Sequence, residues 1–186
     1  SDRINVESDQ IKLSNILILY NNMLQSLFSS QIKTLGLVVA VLFFMFFLLF
    51  RSFKISIIAL LPNILSIGTV LGLMGISNIP LDMMTITIAA ISMGIAVDNT
   101  IHYIFRHRQE YNKTRNYEKA MKNTHNSIGY ALYYTTLTII IGFSILVFSN
   151  FIPSIYFGLL TSLAMLVALL ASLTLVPRLL TIFKPY

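Results

Sequence analysis

Residues 34–50 read TLGLVVAVLFFMFFLLF, an uncharged stretch that lies between Lys33 and Arg51. Hydrocarbon offers no hydrogen-bond partner to free backbone groups, so a chain crosses a bilayer as a helix of about 20 predominantly apolar residues. This stretch is short for that purpose, but it is dense in Phe, Leu and Val. It therefore predicts a membrane-spanning helix and decides the class of the protein.

The composition of the whole chain agrees with that class. Of the 186 residues, 56% are hydrophobic and 11% are charged, whereas charged residues make up about a quarter of an ordinary soluble domain. The absence of cysteine excludes disulfide-stapled modules and thiolate metal sites. There is also no pair of histidines at metal-ligand spacing and no phosphate-cradling glycine loop. We therefore expect no metal, no cofactor and no enzymatic activity.

Four more stretches have the length and composition of membrane spans. They lie at about 55–75, 83–105, 130–151 and 156–175. The sequence thus predicts an all-α fold, an integral membrane bundle of five transmembrane helices that occupies residues 34–186.

Two polar segments complete the predicted architecture. Residues 1–33 place apolar side chains at helical intervals and predict an amphipathic lead-in helix on the extracytoplasmic side. Residues 106–126 are basic and compatible with a helix that lies along the cytoplasmic surface. The chain begins at Ser1 with no signal sequence ahead of its polar opening, so we expect it to be a piece of a longer protein.

The basic residues predict the orientation in the membrane. Loops rich in Lys and Arg stay in the cytoplasm, and ten of the thirteen Lys and Arg residues lie on one side of the five spans. These ten are Arg51, Lys54, Arg106, Arg108, Lys113, Arg115, Lys119, Lys122, Arg178 and Lys184. The net charge of +6 therefore indicates topology rather than nucleic-acid binding. We expect an extracytoplasmic amino terminus and a cytoplasmic carboxyl terminus.

Asp98 is the one charged residue inside a predicted span. A carboxylate at the centre of a transmembrane helix costs roughly 2.5 to 3.5 kcal/mol on insertion scales, so such a residue usually faces the bundle interior and serves a function. Low polarity favours the protonated form of a carboxyl group, which makes proton exchange the expected chemistry. His102 lies one helical turn away and titrates near neutral pH, so it either passes protons to Asp98 or is an interfacial residue.

Other side chains are candidates for contact with this acid. Asn99 follows Asp98 in the chain and points about 100 degrees away around the helix. Thr135 and Thr136 on the fourth span carry hydroxyl groups that could bond to the carboxylate. Small residues at helical intervals predict surfaces where helices pack closely; they are Gly68, Gly72, Gly94, Gly142, Ala164 and Ala168.

Three segments together resemble one protein family. These are GIAVDNTIHYIFRHRQEY at 94–111, TTLTIIIGFSILVFSNF at 135–151 and LASLTLVPRLL at 170–180. They are similar to the resistance-nodulation-division (RND) superfamily, above all its MMPL-type branch of hydrophobe exporters. The resemblance covers nearly the whole chain and corresponds to one five-helix membrane half-repeat, the carboxyl-terminal one.

The resemblance implies a function. Members of the superfamily carry two such repeats and large extracytoplasmic domains, and they use the proton-motive force of the bacterial inner membrane to export hydrophobic or lipid-like compounds. It implies that Asp98 is a proton-relay acid with Thr135 and Thr136 on a helix nearby. Many relatives have a second acid or a Tyr after the first Asp, whereas this chain has Asn99, which argues against two carboxylates within this half.

Different functions are also compatible with the five-helix plan. Sterol-sensing domains and the auxiliary subunits of protein export share it without transporting a substrate of their own. In that alternative, Asp98 is a buried polar group that holds helices together. The expected partners are the bilayer, the second repeat, the extracytoplasmic domains and a hydrophobic substrate, while the oligomeric state stays open.

Overall fold

The protein is almost entirely helical in the part that the computed structural model describes, namely residues 2–77, 79 and 83–185. The helices are α1 Asp2–Phe50, α2 Phe53–Ile76, α3 Met83–Thr114, α4 Tyr117–Thr124, α5 Tyr130–Ser144, α6 Ile152–Leu170 and α7 Val176–Phe183. Two short π-helical segments connect helices without a break: the first π segment, His125–Gly129, joins α4 to α5, and the second π segment, Ala171–Leu175, joins α6 to α7.

Five stretches of the described residues are long and apolar enough to cross a membrane. They are Ile32–Phe50, Phe53–Ile76, Thr87–Thr114, Tyr117–Phe148 and Ile152–Phe183. The predicted all-α bundle with five transmembrane helices is thereby confirmed, and the chain is a multi-pass membrane protein.

The chain divides into two compact units, Ser1–Val41 and Leu42–Tyr186. The first unit consists of the greater part of α1, and its described side chains are mostly exposed. The second unit contains the last residues of α1 and all the other helices. The candidate site residues lie in the second unit.

The core of the second unit is formed where α2, α3 and α6 pack against one another. Its apolar cluster consists of Val70, Met74, Ile88, Leu160 and Ala164, which are at most 3% exposed. The hydroxyl of Ser66 on α2 also donates a hydrogen bond of 2.8 Å to the carbonyl of Ala164 on α6. This bond joins two helices at a buried position, where a free hydroxyl would be costly.

The basic segment at 106–126 differs from the single surface helix that its sequence predicts. α3 continues to Thr114, and the chain then turns at Arg115, whose φ of 51° lies in the left-handed region. Asn116 caps the next helix, because its side-chain oxygen accepts from the backbone N–H groups of Glu118 at 3.0 Å and Lys119 at 3.2 Å. α4 then continues through the first π segment into the fourth span.

The fifth span also differs from its prediction, which ended it before Pro177. The helix instead continues through the second π segment into α7, with Pro177 near the start of α7. Proline has no N–H group and its ring collides with the carbonyl four residues earlier, so a regular α-helix is disfavoured there. The helix widens into a π turn directly before this proline.

Candidate functional site

α3 presents two polar faces with different surroundings. One is exposed and contains Ala90, Gly94, Asp98 and His102 at intervals of four residues. The other is buried and contains Asn99, Thr100, Tyr103 and His107, all at most 4% exposed. The α-helical repeat of 3.6 residues creates this division, because residues four apart lie on one face while adjacent residues diverge.

The side chains of Asp98 and His102 are in contact on the exposed face. Oδ1 of Asp98 lies 3.3 Å from Nε2 of His102, and the two side chains are 68% and 56% exposed, respectively. The sequence predicts that Asp98 is enclosed by neighbouring helices, whereas in this chain it lies on an open face. α2 and α6 pack against the opposite side of α3, where Ile88, Met93 and Val97 are buried.

The buried face of α3 bonds to other helices through successive side chains. Nδ2 of Asn99 donates to the hydroxyl of Thr136 on α5 at 3.3 Å. The hydroxyl of Thr100 donates to the carbonyl of Ala96 at 3.0 Å, and it lies 3.4 Å from the hydroxyl of Ser172. A hydroxyl has a single proton, so Ser172 is the donor in the second bond.

The five residues predicted as a proton relay therefore fall into separate groups. Asp98 and His102 pair on the open face, while Asn99 and Thr136 pair inside the bundle. Thr135 is exposed, and its hydroxyl donates to the carbonyl of Ala131 in its own helix at 2.8 Å. The adjacent threonines of α5 thus serve different bonds, a distinction that depends on how α5 is rotated about its axis.

A buried carboxylate that the sequence analysis did not single out lies at the basic end of α3. The side chain of Glu110 is 8% exposed and accepts from Arg106 at 3.1 Å and Lys113 at 3.3 Å. Its other oxygen accepts from Nδ2 of Asn123 on α4 at 3.1 Å. The spacing of Arg106 and Glu110, one helical turn apart, is the sequence signal that could have revealed this joint between α3 and α4.

The two π segments meet through a histidine side chain. Nε2 of His125, in the first π segment, lies 2.9 Å from the carbonyl oxygen of Leu173 in the second. Nδ1 of the same ring lies 3.0 Å from the hydroxyl of Tyr103 on α3. Within the described part of the chain, no group of three His, Asp or Glu side chains is placed to hold a metal ion.

The residues predicted to pack helices closely also separate into two groups. Ala164 and Ala168 are completely buried in the core. A Cβ atom added at any of four glycines, however, would meet no neighbouring atom within 4 Å; they are Gly68, Gly72, Gly94 and Gly142. Among the described residues, no other helix comes close to these four glycines on the side where a Cβ atom would lie.

Among the described glycines, the tightest surroundings are those of one that the sequence analysis did not select. A Cβ atom at Gly158 of α6 would lie 2.5 Å from the carbonyl oxygen of Phe143 and 2.8 Å from Cβ of Leu146. Only a residue without a side chain fits this contact between α6 and the end of the fourth span.

Comparison with known proteins identifies the family of this five-span chain. The sequence matches the profile of the MMPL family over residues 17–184. The chain belongs to the MMPL family. The resemblance to the MMPL branch of the RND superfamily is thereby confirmed.

Two curated relatives match shorter parts of this MMPL-family chain. A membrane protein of Methanocaldococcus jannaschii is 32% identical over 127 residues, which are 68% of this chain and 33% of the relative. The hopanoid transporter HpnN of Burkholderia multivorans is 31% identical over 110 residues, which are 56% of this chain and 12% of that protein. The matched part of this chain thus corresponds to at most a third of either relative.

Proposed function

We propose that this chain is one membrane half of a proton-driven exporter of hydrophobic or lipid-like compounds. Family membership supports transport, and one relative is named a hopanoid transporter. The protein would act as a secondary transporter rather than an enzyme. Its orientation in a bacterial inner membrane follows from the basic residues, with the amino terminus outside and the carboxyl terminus in the cytoplasm.

The observation that carries the proposal is the Asp98–His102 pair on the open face of α3. Both groups lie within the third membrane-spanning helix, and both side chains are more than half exposed in this chain. A carboxylate that faced lipid would be unfavourable, whereas protein or a water-filled path would accommodate it. We therefore expect a second membrane repeat to cover this face and line a route for protons to Asp98.

Protonation of Asp98 would change the interactions at that interface. Proton binding removes the negative charge of the carboxylate and weakens its attraction to a protonated His102. Burying the neutral acid against the second repeat would cost less free energy than burying the carboxylate. A packing of the two halves that encloses Asp98 would therefore become more populated. Alternation between the two packings is the rocking motion by which repeats expose a substrate site to each side in turn.

Asn99 and Thr136 have a supporting part in this proposal. Asn99 follows the proton-binding acid in the chain and bonds to α5, so a displacement of α3 would be transmitted to the fourth span. Thr135, on the exposed face of α5, is available for contact with the second repeat. The exposed Gly94 and Gly142 would let helices of that repeat approach closely.

The test is proton-coupled export by the full-length transporter in proteoliposomes. Asp98→Asn should abolish transport and its response to the pH gradient while membrane insertion is retained. Glu118→Gln, which neutralises an exposed acid on α4, is the matched control and should transport normally. Full transport by Asp98→Asn would refute the proton relay and favour a sensing or protein-export role for this membrane unit.

His102 has its own test in the same assay. If His102 hands protons to Asp98, His102→Ala should change the pH dependence of transport. An unchanged pH profile would make His102 an interfacial residue without a part in proton transfer.

A further inference from the structure

Three oxygen atoms surround the two ring nitrogens of His125. Nε2 faces the carbonyl of Leu173 at 2.9 Å, while Nδ1 faces both the hydroxyl of Tyr103 at 3.0 Å and the carbonyl of Met121 at 3.1 Å. Carbonyl oxygens only accept hydrogen bonds. The ring therefore lies in an environment that accepts protons from both of its nitrogens.

The geometry determines which tautomer the neutral ring adopts. The carbonyl oxygen of Leu173 can only accept, so the proton of neutral His125 is on Nε2, and Nδ1 accepts from the hydroxyl of Tyr103. This carbonyl is available as an acceptor because the residue four positions later is Pro177. Proline cannot supply the N–H group that a carbonyl at this position accepts in a regular α-helix, and His125 supplies a donor in its place.

A second proton changes the bonds at Nδ1 but not at Nε2. In the imidazolium form, Nδ1–H becomes a donor, for which the Met121 carbonyl is an acceptor at 3.1 Å. The phenolic oxygen of Tyr103 accepts as well as donates, so its contact with Nδ1 at 3.0 Å can reverse direction when Nδ1 carries a proton. Both ring nitrogens of the imidazolium therefore have acceptors beside them.

An open cavity lies beside the ring. His125 lines an open cavity of about 350 Å³ together with Asn126, Gly129, Tyr130, Tyr133, Tyr134 and Leu173. The cavity lies at the basic end of the bundle. A proton from water there can bind the Nδ1 lone pair, with no other bond made or broken covalently.

Few ionisable groups face the ring from the elements around it. α3 contributes Tyr103 and His107, and the second π segment, with the sequence ASLTL, contributes none. His107 interacts electrostatically with His125. Other ionisable groups lie on the helix of His125 itself: the tyrosines of the cavity wall, and Lys122 one turn earlier. Glu110 binds Asn123, two residues before His125.

We infer that Nδ1 of His125 is a second proton-binding site of this membrane unit, separate from the Asp98–His102 pair. Proton binding there turns Nδ1 from an acceptor of the Tyr103 hydroxyl into a donor toward the oxygens of Tyr103 and Met121. The site lies where α3 meets both π segments, and π-helical turns are common at functional sites.

The test reads the protonation of the ring itself. Full-length protein in lipid nanodiscs, labelled with ¹⁵N in histidine rings and ¹³C in leucine carbonyls, is examined by solid-state NMR between pH 5 and 8. The dipolar contact between the ring and the Leu173 carbonyl identifies His125 without a mutation, and its absence from His125→Gln checks the assignment. We expect a neutral Nε2–H tautomer at high pH and a protonated Nδ1 at low pH.

Two variants separate the parts of the inference. Tyr103→Phe keeps the fold of the ring site but removes the hydroxyl, and it should shift the titration midpoint of His125. Pro177→Ala restores a backbone donor for Leu173 and should allow the other neutral tautomer to appear. A ring that stays neutral down to pH 5, or that is mainly the Nδ1–H tautomer at high pH, would overturn the assignment. Because Asp98→Asn should leave this titration in place, the outcome is distinct from that of the transport assay.

Discussion

Nδ2 of Asn99 donates a hydrogen bond of 3.3 Å to the hydroxyl of Thr136, and this bond joins the acid-bearing helix to the fourth span inside the bundle. Asp98, the preceding residue, lies on the other, exposed face of the same helix. Two adjacent polar residues of α3 therefore have different tasks. One holds this membrane unit together, and the other is available to whatever covers its open face.

The bond between Asn99 and Thr136 should be measurable by a double-mutant cycle. Asn99→Ala and Thr136→Val are expected to show a coupling free energy of about 0.6 kcal/mol, with an upper range near 1.7, as found for hydrogen bonds between membrane helices. The measurement is unfolding in mixed micelles. Thr135→Val is the matched control, because its hydroxyl bonds within α5, and it should show no coupling to Asn99. Equal coupling for both threonines would contradict the geometry.

Gly158→Ala should destabilise the second unit. The added methyl group would overlap the carbonyl of Phe143, and overpacking of this kind costs about 1 to 3 kcal/mol. Thermal unfolding of the purified protein measures the loss. Gly72→Ala is the control, since a methyl group there meets no atom within 4 Å. If the two variants unfold at the same temperature, α5 and α6 are not in the close contact described.

Glu110→Gln should loosen α4 from the end of α3. The amide keeps the shape of the side chain but loses the negative charge that binds Arg106 and Lys113. We expect faster hydrogen exchange in α4 and faster trypsin cleavage at Arg115, in the turn between the two helices. Glu118→Gln removes an exposed acid in α4 and should leave both rates close to those of the unchanged protein. Unaltered rates in Glu110→Gln would mean that the joint depends on apolar packing alone.

Asn116→Ala should weaken the start of α4. The substitution removes the oxygen that accepts from the backbone N–H groups of Glu118 and Lys119, and loss of such a cap costs about 0.5 to 2 kcal/mol. Hydrogen exchange of residues 117–120 provides the measurement. Asn116→Asp retains an acceptor oxygen and should preserve the protection of these amides, whereas similar exchange in both variants would argue against a capping role.

Some site residues could be recognised from the sequence, but their arrangement could not. Asp98 is conspicuous because a charge inside an apolar span is costly wherever the helix packs. Whether it faces its own bundle or an open surface depends on the rotation of α3, and the apolar residues on both sides of the acid leave that rotation undetermined. The same uncertainty applies to Thr135 and Thr136, which are identical in type and adjacent in sequence.

The small residues illustrate a second limit. Gly68 and Gly72 have the spacing of a packing surface, but an added Cβ atom at either would meet no atom of the described residues within 4 Å, whereas at Gly158, which the sequence analysis did not select, it would lie 2.5 Å from the carbonyl oxygen of Phe143. Spacing along one helix records which residues share a face; it does not identify the neighbouring helix. The same limit hid His125, whose partners Tyr103 and Leu173 are 22 and 48 residues away in the chain.

By itself, the sequence determined the class of the protein, its five spans and the presence of an acid in the third. These properties follow from the free energy of transferring each segment from water to hydrocarbon. That free energy is a sum over the residues of the segment and does not depend on which helices lie beside it. The tertiary structure alone decided which polar groups meet. Hydrogen bonds and close contacts between helices act over a few ångströms, so they depend on the rotation, depth and partner of each helix, and these are properties of the packed bundle as a whole.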